Sequence, residues 1–488
     1  MSMVVQHNMQ AANANRMLGI TSGAQAKSTE KLSSGYKINR AADDAAGLTI
    51  SEKMRKQIRG LDKASSNAQD GVSSVQTAEG ALTEVHSMLQ RMNELAVQAS
   101  NGTNSKDTDR KAIQDEIDQL NTEIDRVAET TKFNEIYLLK GDDGEKTVNM
   151  KAHDAGLKGT LTDNGDGTAT FKMDTLNAGD TVSIGGKNYT IGGEAADVTD
   201  MLTKAGITDA AGDKVTINGK EYTYCENASD GKTALTHKGY YETAPDTANA
   251  ATANPAYADS AEIAAAKSAT ISVGTKSITT IDDTKADGID DNDTSVITKQ
   301  KAYELAGKEL LAANQIGDTE GNAEVKNGDK TDLAYNAGDG TFNIKVGQAK
   351  VANTLSFSLH VGADADMTNK ITVDIETMNS ANLGIKGLNV TDKNGSAATY
   401  AIDAISDAIS KVSSQRSALG AVQNRLEHTI DNLDNISENT SSAESRIRDT
   451  DMAKEMVNYS KNNILAQAGQ SMLAQANQSN QGVLSLLQ

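Results

Sequence analysis

The chain has 488 residues, and its 47 Lys and Arg against 67 Asp and Glu give a formal net charge of -20. Nucleic acid and acidic membrane surfaces would repel this charge, so we expect neither as the main partner. Aromatic residues make up only 3% and Trp is absent, which disfavours a thick core and favours thin packing between helices. The single Cys225 excludes an internal disulfide framework.

Residues 1–45 are rich in Asn, Gln, Ala and Ser, with sparse apolar positions. Such a segment forms a weak helix alone and orders only when partners cover its apolar stripe. Met1 to Gln10 carries neither the basic cluster nor the apolar stretch of a secretory signal peptide. No apolar run of 18 residues predicts a membrane span.

From about 46 to 100 the sequence predicts one long helix. Apolar residues fill two positions of a heptad, as in a coiled-coil seam: Val75, Leu82, Leu89 and Ala96, with Ala78, Val85, Met92 and Ala99. Turn-forming residues at 101–105 then reverse the chain. A second helix follows, with Ile113, Ile117, Leu120, Ile124 and Val127 on one face.

After Leu139, and up to about residue 350, the composition shifts to Gly, Asp, Thr, Asn and Lys. Residues 182–191 and 215–224 align as an internal repeat, and each predicts a β-hairpin around a Gly-Gly or Asn-Gly turn. Residues 271–279 are a fainter third copy. Residues 243–270 predict a linker with one short helix near 262–266. The middle of the chain is therefore expected to be β-rich.

Residues 355–359 and 371–375 alternate as strands, and a helix begins at about Thr399. This helix carries an apolar stripe like that of the N-terminal helices. The stripe consists of Ile402, Ile405, Ile409, Val412, Leu419, Val422, Leu426, Ile430, Leu433 and Ile436. Since neither stripe can stay in water alone, we expect the two ends to pack antiparallel. The predicted fold is mainly α, an elongated antiparallel helical rod that carries a β-rich insertion.

Past residue 446 the strict heptad is lost and the composition resembles that of residues 1–45. Two amphipathic ends with too little apolar surface to fold alone are typical of a self-assembling subunit. The assembly residues that we predict are Leu18, Leu32, Leu465, Met472, Leu473, Val483, Leu484, Leu486 and Leu487.

The sequence shows no arrangement of catalytic or metal-binding groups. Its six His residues are scattered, and it has neither a His-Glu-x-x-His motif nor a Gly-rich phosphate loop. We therefore expect no enzyme activity, no cofactor and no metal. The Asp-rich segments 163–167 and 287–293 are compatible with calcium loops, but they lack the EF-hand spacing and fit solvated turns better.

Residues 89–97 allow two interpretations. In the simpler one, Leu89, Met92 and Ala96 only pack against a neighbouring helix. In the other, the residues beside the seam form an outward face that meets a partner: Gln90, Arg91, Glu94 and Leu95.

Two long segments resemble a known family. Residues 33–61, beginning Ser-Ser-Gly-Tyr-Lys-Ile-Asn-Arg-Ala-Ala-Asp-Asp, resemble the N-terminal signature of bacterial flagellins. Residues 473–477, Leu-Ala-Gln-Ala-Asn, and the ending at 482–488 resemble the C-terminal signature. The likeness covers about residues 3–141 and 353–488. Met1-Ser2 is then expected to be an addition before the natural first residue.

The resemblance implies a filament subunit in five segments. Residues 1–45 and 446–488 would form the inner tube, 46–141 and 353–445 the rod, and 142–352 a variable outer insertion. It also implies export by the flagellar type III system without a cleaved signal, a secretion chaperone on the C-terminal stripe, and contact with the filament cap and the hook-filament junction proteins. The expected localisation is the extracellular filament.

The resemblance also gives the outward face a partner. In flagellins that activate Toll-like receptor 5, the matching helices present an Arg, a Leu and a Glu, which correspond here to Arg91, Leu95 and Glu116. Asn93 departs from the Arg that enteric flagellins often have at this position.

The final leucines, Leu484, Leu486 and Leu487, resemble the tail that cytosolic NAIP sensors recognise. The alternative function is a filament-displayed adhesin or carbohydrate-binding module in 142–352, and a hook-filament junction protein is a nearer rival.

Overall fold

The computed structural model describes residues 8–105, 108–334, 338–392 and 394–486, with side chains described up to residue 478. The α-helices in these ranges are α1 (Met9–Ser34), α2 (Ala45–Ser100), α3 (Asp109–Thr130), α4 (Ala195–Lys204), α5 (Ser260–Ala264), α6 (Lys299–Asn314), α7 (Ser396–Arg448) and α8 (Met452–Leu486).

The strands lie between α3 and α7. They are β1 (Lys132–Phe133), β2 (Ile136–Tyr137), β3 (Asp142–Asn149), β4 (Gly159–Asp163), β5 (Thr168–Met173), β6 (Thr181–Ile184), β7 (Lys187–Ile191), β8 (Lys214–Ile217), β9 (Lys220–Asn227), β10 (Ala234–Tyr241), β11 (Thr270–Val273), β12 (Lys276–Thr279), β13 (Val296–Ile297), β14 (Glu324–Asn327), β15 (Thr341–Lys345), β16 (Gln348–Asn353), β17 (Leu355–His360) and β18 (Lys370–Ile375). The predicted mainly α fold with a β-rich insertion is confirmed.

The chain divides into two compact units. The first comprises Met1–Val75, Phe357–Val373 and Gly420–Gln488, and the second comprises Gln76–Ser356 and Asp374–Leu419.

In the first unit, the N-terminal part of α2 packs antiparallel to the C-terminal part of α7. Ala68 and Leu426 are both 0% exposed and share a core with Val361 and Ile371 of the β17–β18 region. Gly71 lies so close to Leu359 that an added Cβ would clash with it. The expected pairing of the two ends is therefore confirmed in this unit, although Ile436, at 41% exposure, lies outside the buried stripe.

The connections that lead to α1 and α8 are tied together by backbone hydrogen bonds. The amide of Lys37 donates to the carbonyl of Arg448 at 2.7 Å, and the amide of Thr450 donates to the carbonyl of Gly35 at 3.0 Å. Gly35 ends α1 with a φ of 77°, a left-handed conformation that suits glycine. Asp44 caps the N-terminus of α2, because its carboxylate accepts a hydrogen bond from the backbone amide of Gly47 at 2.9 Å.

In the second unit, α2 and α3 bury the predicted stripes. All eight heptad residues named above for α2 are 0% exposed; seven of them lie in this unit, and Val75 is the last residue of the first unit's N-terminal segment. On α3, Ile113, Ile117 and Ile124 are buried, whereas Leu120 and Val127 are half-buried. Arg110 of α3 is 1% exposed and donates to the carbonyls of Ala99 at 2.8 Å, Asn101 at 3.2 Å and Asp392 at 2.8 Å. The guanidinium group of Arg110 therefore donates to two carbonyls at the C-terminal end of α2, Ala99 and Asn101, and its positive charge is favourable there.

The three predicted hairpins are confirmed. Residues 181–191 form β6–β7, residues 214–227 form β8–β9 and residues 270–279 form β11–β12, each antiparallel. The turn residues have positive φ, at 56° for Gly185 and 50° for Asn218. The second and third hairpins join in one five-stranded sheet of order β10-β9-β8-β11-β12.

The insertion also contains elements that the sequence did not predict. Helix α6 packs on the sheet β14-β15-β5-β4 and buries Leu310 together with Phe171 and Phe342. Tyr400, from the first turns of α7, lies in the same core and donates its hydroxyl to Glu309 of α6 at 2.7 Å. Helix α7 therefore completes the core of the insertion.

Candidate interaction surfaces

An exposed ion-pair cluster lies on α2 and α3. The Nε of Arg91 donates to Oε1 of Glu116 at 2.9 Å, and an Nη of Arg91 donates to Oε2 of Glu94 at 3.1 Å. These contacts raise the pKa of Arg91, with Glu116 as the larger cause. The structure therefore brings together three of the five predicted receptor-binding residues on one solvated face.

The other two predicted receptor-binding residues behave differently. Gln90 is exposed, and its amide lies 3.1 Å from Nε2 of His86 on the same helix. Leu95 is only 2% exposed, so the expectation that it faces outward is wrong. Because α3 lies beside α2, the buried stripe of α2 is wider than a two-position seam and includes Leu95.

Helices α1 and α8 pack against each other, and they leave much of their apolar surface uncovered. Leu18, Leu32 and Leu473, from the predicted assembly set, are half-buried. Leu465 and Met472 are 47% and 61% exposed. The large apolar side chains exposed beside them are Met9, Met17, Ile20, Met452, Met456, Val457 and Ile464. An exposed apolar surface of this kind is typical of a protein–protein interface.

The remaining predicted assembly residues lie at the C-terminal end. Val483, Leu484 and Leu486 fall within α8, but their side chains lie outside the described part of the structure. Leu487 lies outside the described residues altogether.

The Asp-rich segments form turns held by their own carboxylates. Asp290 is 1% exposed and accepts from the hydroxyl of Ser268 and from the amides of Asp282, Asn292 and Asp293 at 2.7 to 3.0 Å. Asp163 accepts from the amide of Gly165 at 2.8 Å. Within the described ranges, no group of three or more His, Cys, Asp or Glu side chains is placed to hold a metal ion.

Tyrosine rings of the repeated hairpins pack against other side chains of the protein. The ammonium of Lys187 lies 4.8 Å from the ring centre of Tyr189. Tyr222 packs edge-to-face on Tyr257, with ring centres 5.7 Å apart.

The single cysteine, Cys225, is half-buried. Burial raises the pKa of its thiol, which disfavours the reactive thiolate.

None of the helices in the described ranges combines the length and apolar composition that a membrane span requires.

Comparison with known proteins identifies both ends of the chain. Residues 5–143 match the bacterial flagellin N-terminal helical region, and residues 402–487 match the bacterial flagellin C-terminal helical region. Flagellin of Clostridium tyrobutyricum is 39% identical over 482 residues, which cover 98% of this chain and 100% of that protein. Polar flagellin A of Vibrio parahaemolyticus is 34% identical over 489 residues, with both chains fully covered.

Flagellin of Bacillus subtilis is 34% identical over 486 residues, which cover 99% of this chain and 100% of that protein. Similarity of this extent includes the insertion as well as the two helical ends. The two terminal helical regions and these full-length relatives together show that the chain belongs to the bacterial flagellin family, as a structural subunit of the extracellular flagellar filament and not an enzyme.

Proposed function

We propose that segments 1–45 and 446–488 form the inner tube of the filament. Segments 46–141 and 353–445 then form the rod, and 142–352 forms the outer part. The observation that carries this assignment is the apolar surface that α1 and α8 leave exposed. Burial of such side chains between subunits stabilises a polymer by about 25 cal/mol per Å² of apolar area.

Truncation tests this assignment. We expect deletion of residues 1–45 or of residues 446–488 to abolish elongation of filament seeds by purified monomer. The core formed by Ala68 and Leu426 lies outside both deleted segments, so circular dichroism should still show folded helices. Elongation by either truncated chain at the rate of the full chain would contradict the assignment.

We further propose that the subunit is exported by the flagellar type III system and polymerises under the filament cap. Before export, a secretion chaperone covers the exposed apolar face of α8, which in the monomer would otherwise favour premature association. The hook-filament junction proteins are the partners at the base of the filament.

The ion-pair cluster supports a role as a ligand of Toll-like receptor 5. Gln90, Arg91, Glu94 and Glu116 are exposed and adjacent, so one partner surface can contact all of them. Leu95 contributes by holding α2 in place, since it is buried. The C-terminal leucines Leu484, Leu486 and Leu487 are the proposed contacts for cytosolic NAIP sensors.

We expect Arg91→Ala to weaken receptor binding about ten-fold or more, because Arg residues at interface centres commonly contribute at least 1–2 kcal/mol. Titration of monomer against the receptor ectodomain measures this change. Arg126→Ala is the matched control, because Arg126 is also exposed and pairs with a Glu one turn away. Submicromolar binding by the Arg91 variant, equal to that of the control, would refute the assignment.

A further inference from the structure

The apolar residues of α1 and α8 do not by themselves define one alignment of the two helices. Exposed and half-buried apolar residues occur on several sides of each helix, and α8 exposes two adjacent pairs: Met456 with Val457, and Ile464 with Leu465. If one helix rotated or slid by a turn, it would exchange one apolar set for another of similar size. Some other interaction must therefore select the alignment.

Two side-chain hydrogen bonds join the helices near opposite ends of the pair. The hydroxyl of Ser28 donates to Oε1 of Glu455 at 2.6 Å. At the far end, the amide of Asn8 donates to the carbonyl of Ala476 at 3.1 Å. Ser28 is 4% exposed and is the one residue of α1 that is fully buried. A buried hydroxyl that lost its partner would keep the cost of its desolvation.

Glu455 is suited to a directional contact. Its pKa is lowered, chiefly because the Ser28 hydroxyl donates to the carboxylate, and the positive charge of Lys31 contributes. Its second oxygen accepts from the amide of Asn458 at 3.3 Å. The carboxylate is therefore ionised at neutral pH and held on its own helix, and charge-assisted hydrogen bonds of this kind are about twice as strong as neutral ones.

We propose that Ser28 and Glu455 are positioning residues that set the register and rotation of the α1–α8 pair. They thereby decide which apolar side chains face neighbouring subunits. The backbone hydrogen bonds of Gly35 and Lys37 join the two connections where the pair begins, but they involve no side chain of either helix. The inference rests on the proposed inner-tube role of these helices.

The structure supplies a reporter for this alignment. A Cβ added at Gly469 would lie 3.9 Å from Cβ of Leu18, within the range of a disulfide. The parent for the test is therefore the full-length chain with Leu18→Cys, Gly469→Cys and Cys225→Ser. Because Leu18 is one of the predicted assembly residues, tagged parent is diluted into a large excess of untagged wild-type subunits that carry the elongation of seeds. The filaments are then oxidised. The rate of intrachain disulfide formation is then read from gel mobility.

We expect Ser28→Ala to slow intrachain cross-linking about ten-fold, the loss that one charge-assisted hydrogen bond implies. Glu455→Ala should slow it equally. Glu455→Gln keeps an acceptor oxygen but loses the charge, so it should cross-link at a rate between those of the parent and of Glu455→Ala, a partial rescue that a merely structural loss would not give. Thr29→Ala is the matched control, because the Thr29 hydroxyl donates within its own helix, to the carbonyl of Gln25 at 2.9 Å.

Parent-like cross-linking in Ser28→Ala would overturn the proposal and leave the inner-tube role intact. If Ser28→Ala subunits do not enter filaments, Glu455→Ala decides in the same way, because Glu455 is only half-buried and its truncation leaves less of a cavity. If incorporated parent subunits formed no intrachain disulfide, the pairing of α1 with α8 in the filament would be refuted, together with the inference that rests on it.

Discussion

We expect subunits with Met472→Asp not to elongate filament seeds at micromolar concentration. Met472 lies on α8 and is 61% exposed in the single chain, so a carboxylate there is solvated in the monomer and should not unfold it. In the filament the same carboxylate would be buried without a partner, at a cost of several kcal/mol per subunit. A cost of about 3 kcal/mol raises the critical concentration roughly 100-fold.

The control is Gln470→Asp, which adds the same charge at an exposed polar position two residues earlier on α8. It should elongate seeds within a few-fold of the wild-type rate. Sedimentation of polymer after seeding measures both variants. Equal polymer yields from the two would show that the exposed apolar face of α8 does not carry assembly.

Leu95→Ala should lower the free energy of unfolding by about 2–5 kcal/mol, the range for truncating a buried leucine. Leu95 is 2% exposed and belongs to the buried stripe of α2. The measurement is urea denaturation of the monomer followed by helical circular dichroism. The effect matters for receptor studies, because lost binding in a Leu95 variant would then arise partly from a loosened α2.

Val97→Ala is the matched comparison, since Val97 is an apolar residue of the same helix at 52% exposure. Its effect should stay within about 0.5 kcal/mol. If the two variants unfolded at the same urea concentration, Leu95 would not be a core residue, and its earlier interpretation as an outward contact would regain support.

The periodic parts of the fold could be predicted from the sequence. The heptads of α2 identify residues that are all fully buried, because a strict seven-residue repeat leaves one stripe to cover. The hairpins could be predicted because Gly185 and Asn218 supply the positive φ that a two-residue turn requires. Both signals are local, so each is readable without knowing the partner surface.

Features that depend on distant residues could not be predicted. Arg110 is buried because its acceptors include the carbonyl of Asp392, 282 residues away in sequence. Helix α6 lies in a segment dominated by polar turns, and its helical pattern is stabilised by packing on Phe171 and Phe342. Leu95 was misplaced because a two-position seam ignores the third helix that lies beside α2. The alignment of α1 with α8 likewise depends on Ser28 and Glu455, which are 427 residues apart.

A cryo-EM reconstruction of the assembled filament tests the central claim most directly. We expect helices Met9–Ser34 and Met452–Leu486 to form the innermost layer, with Leu465 and Met472 in contact with neighbouring subunits and residues 142–352 facing solvent. A reconstruction in which these helices face solvent, or in which residues 142–352 make the innermost contacts, would contradict it.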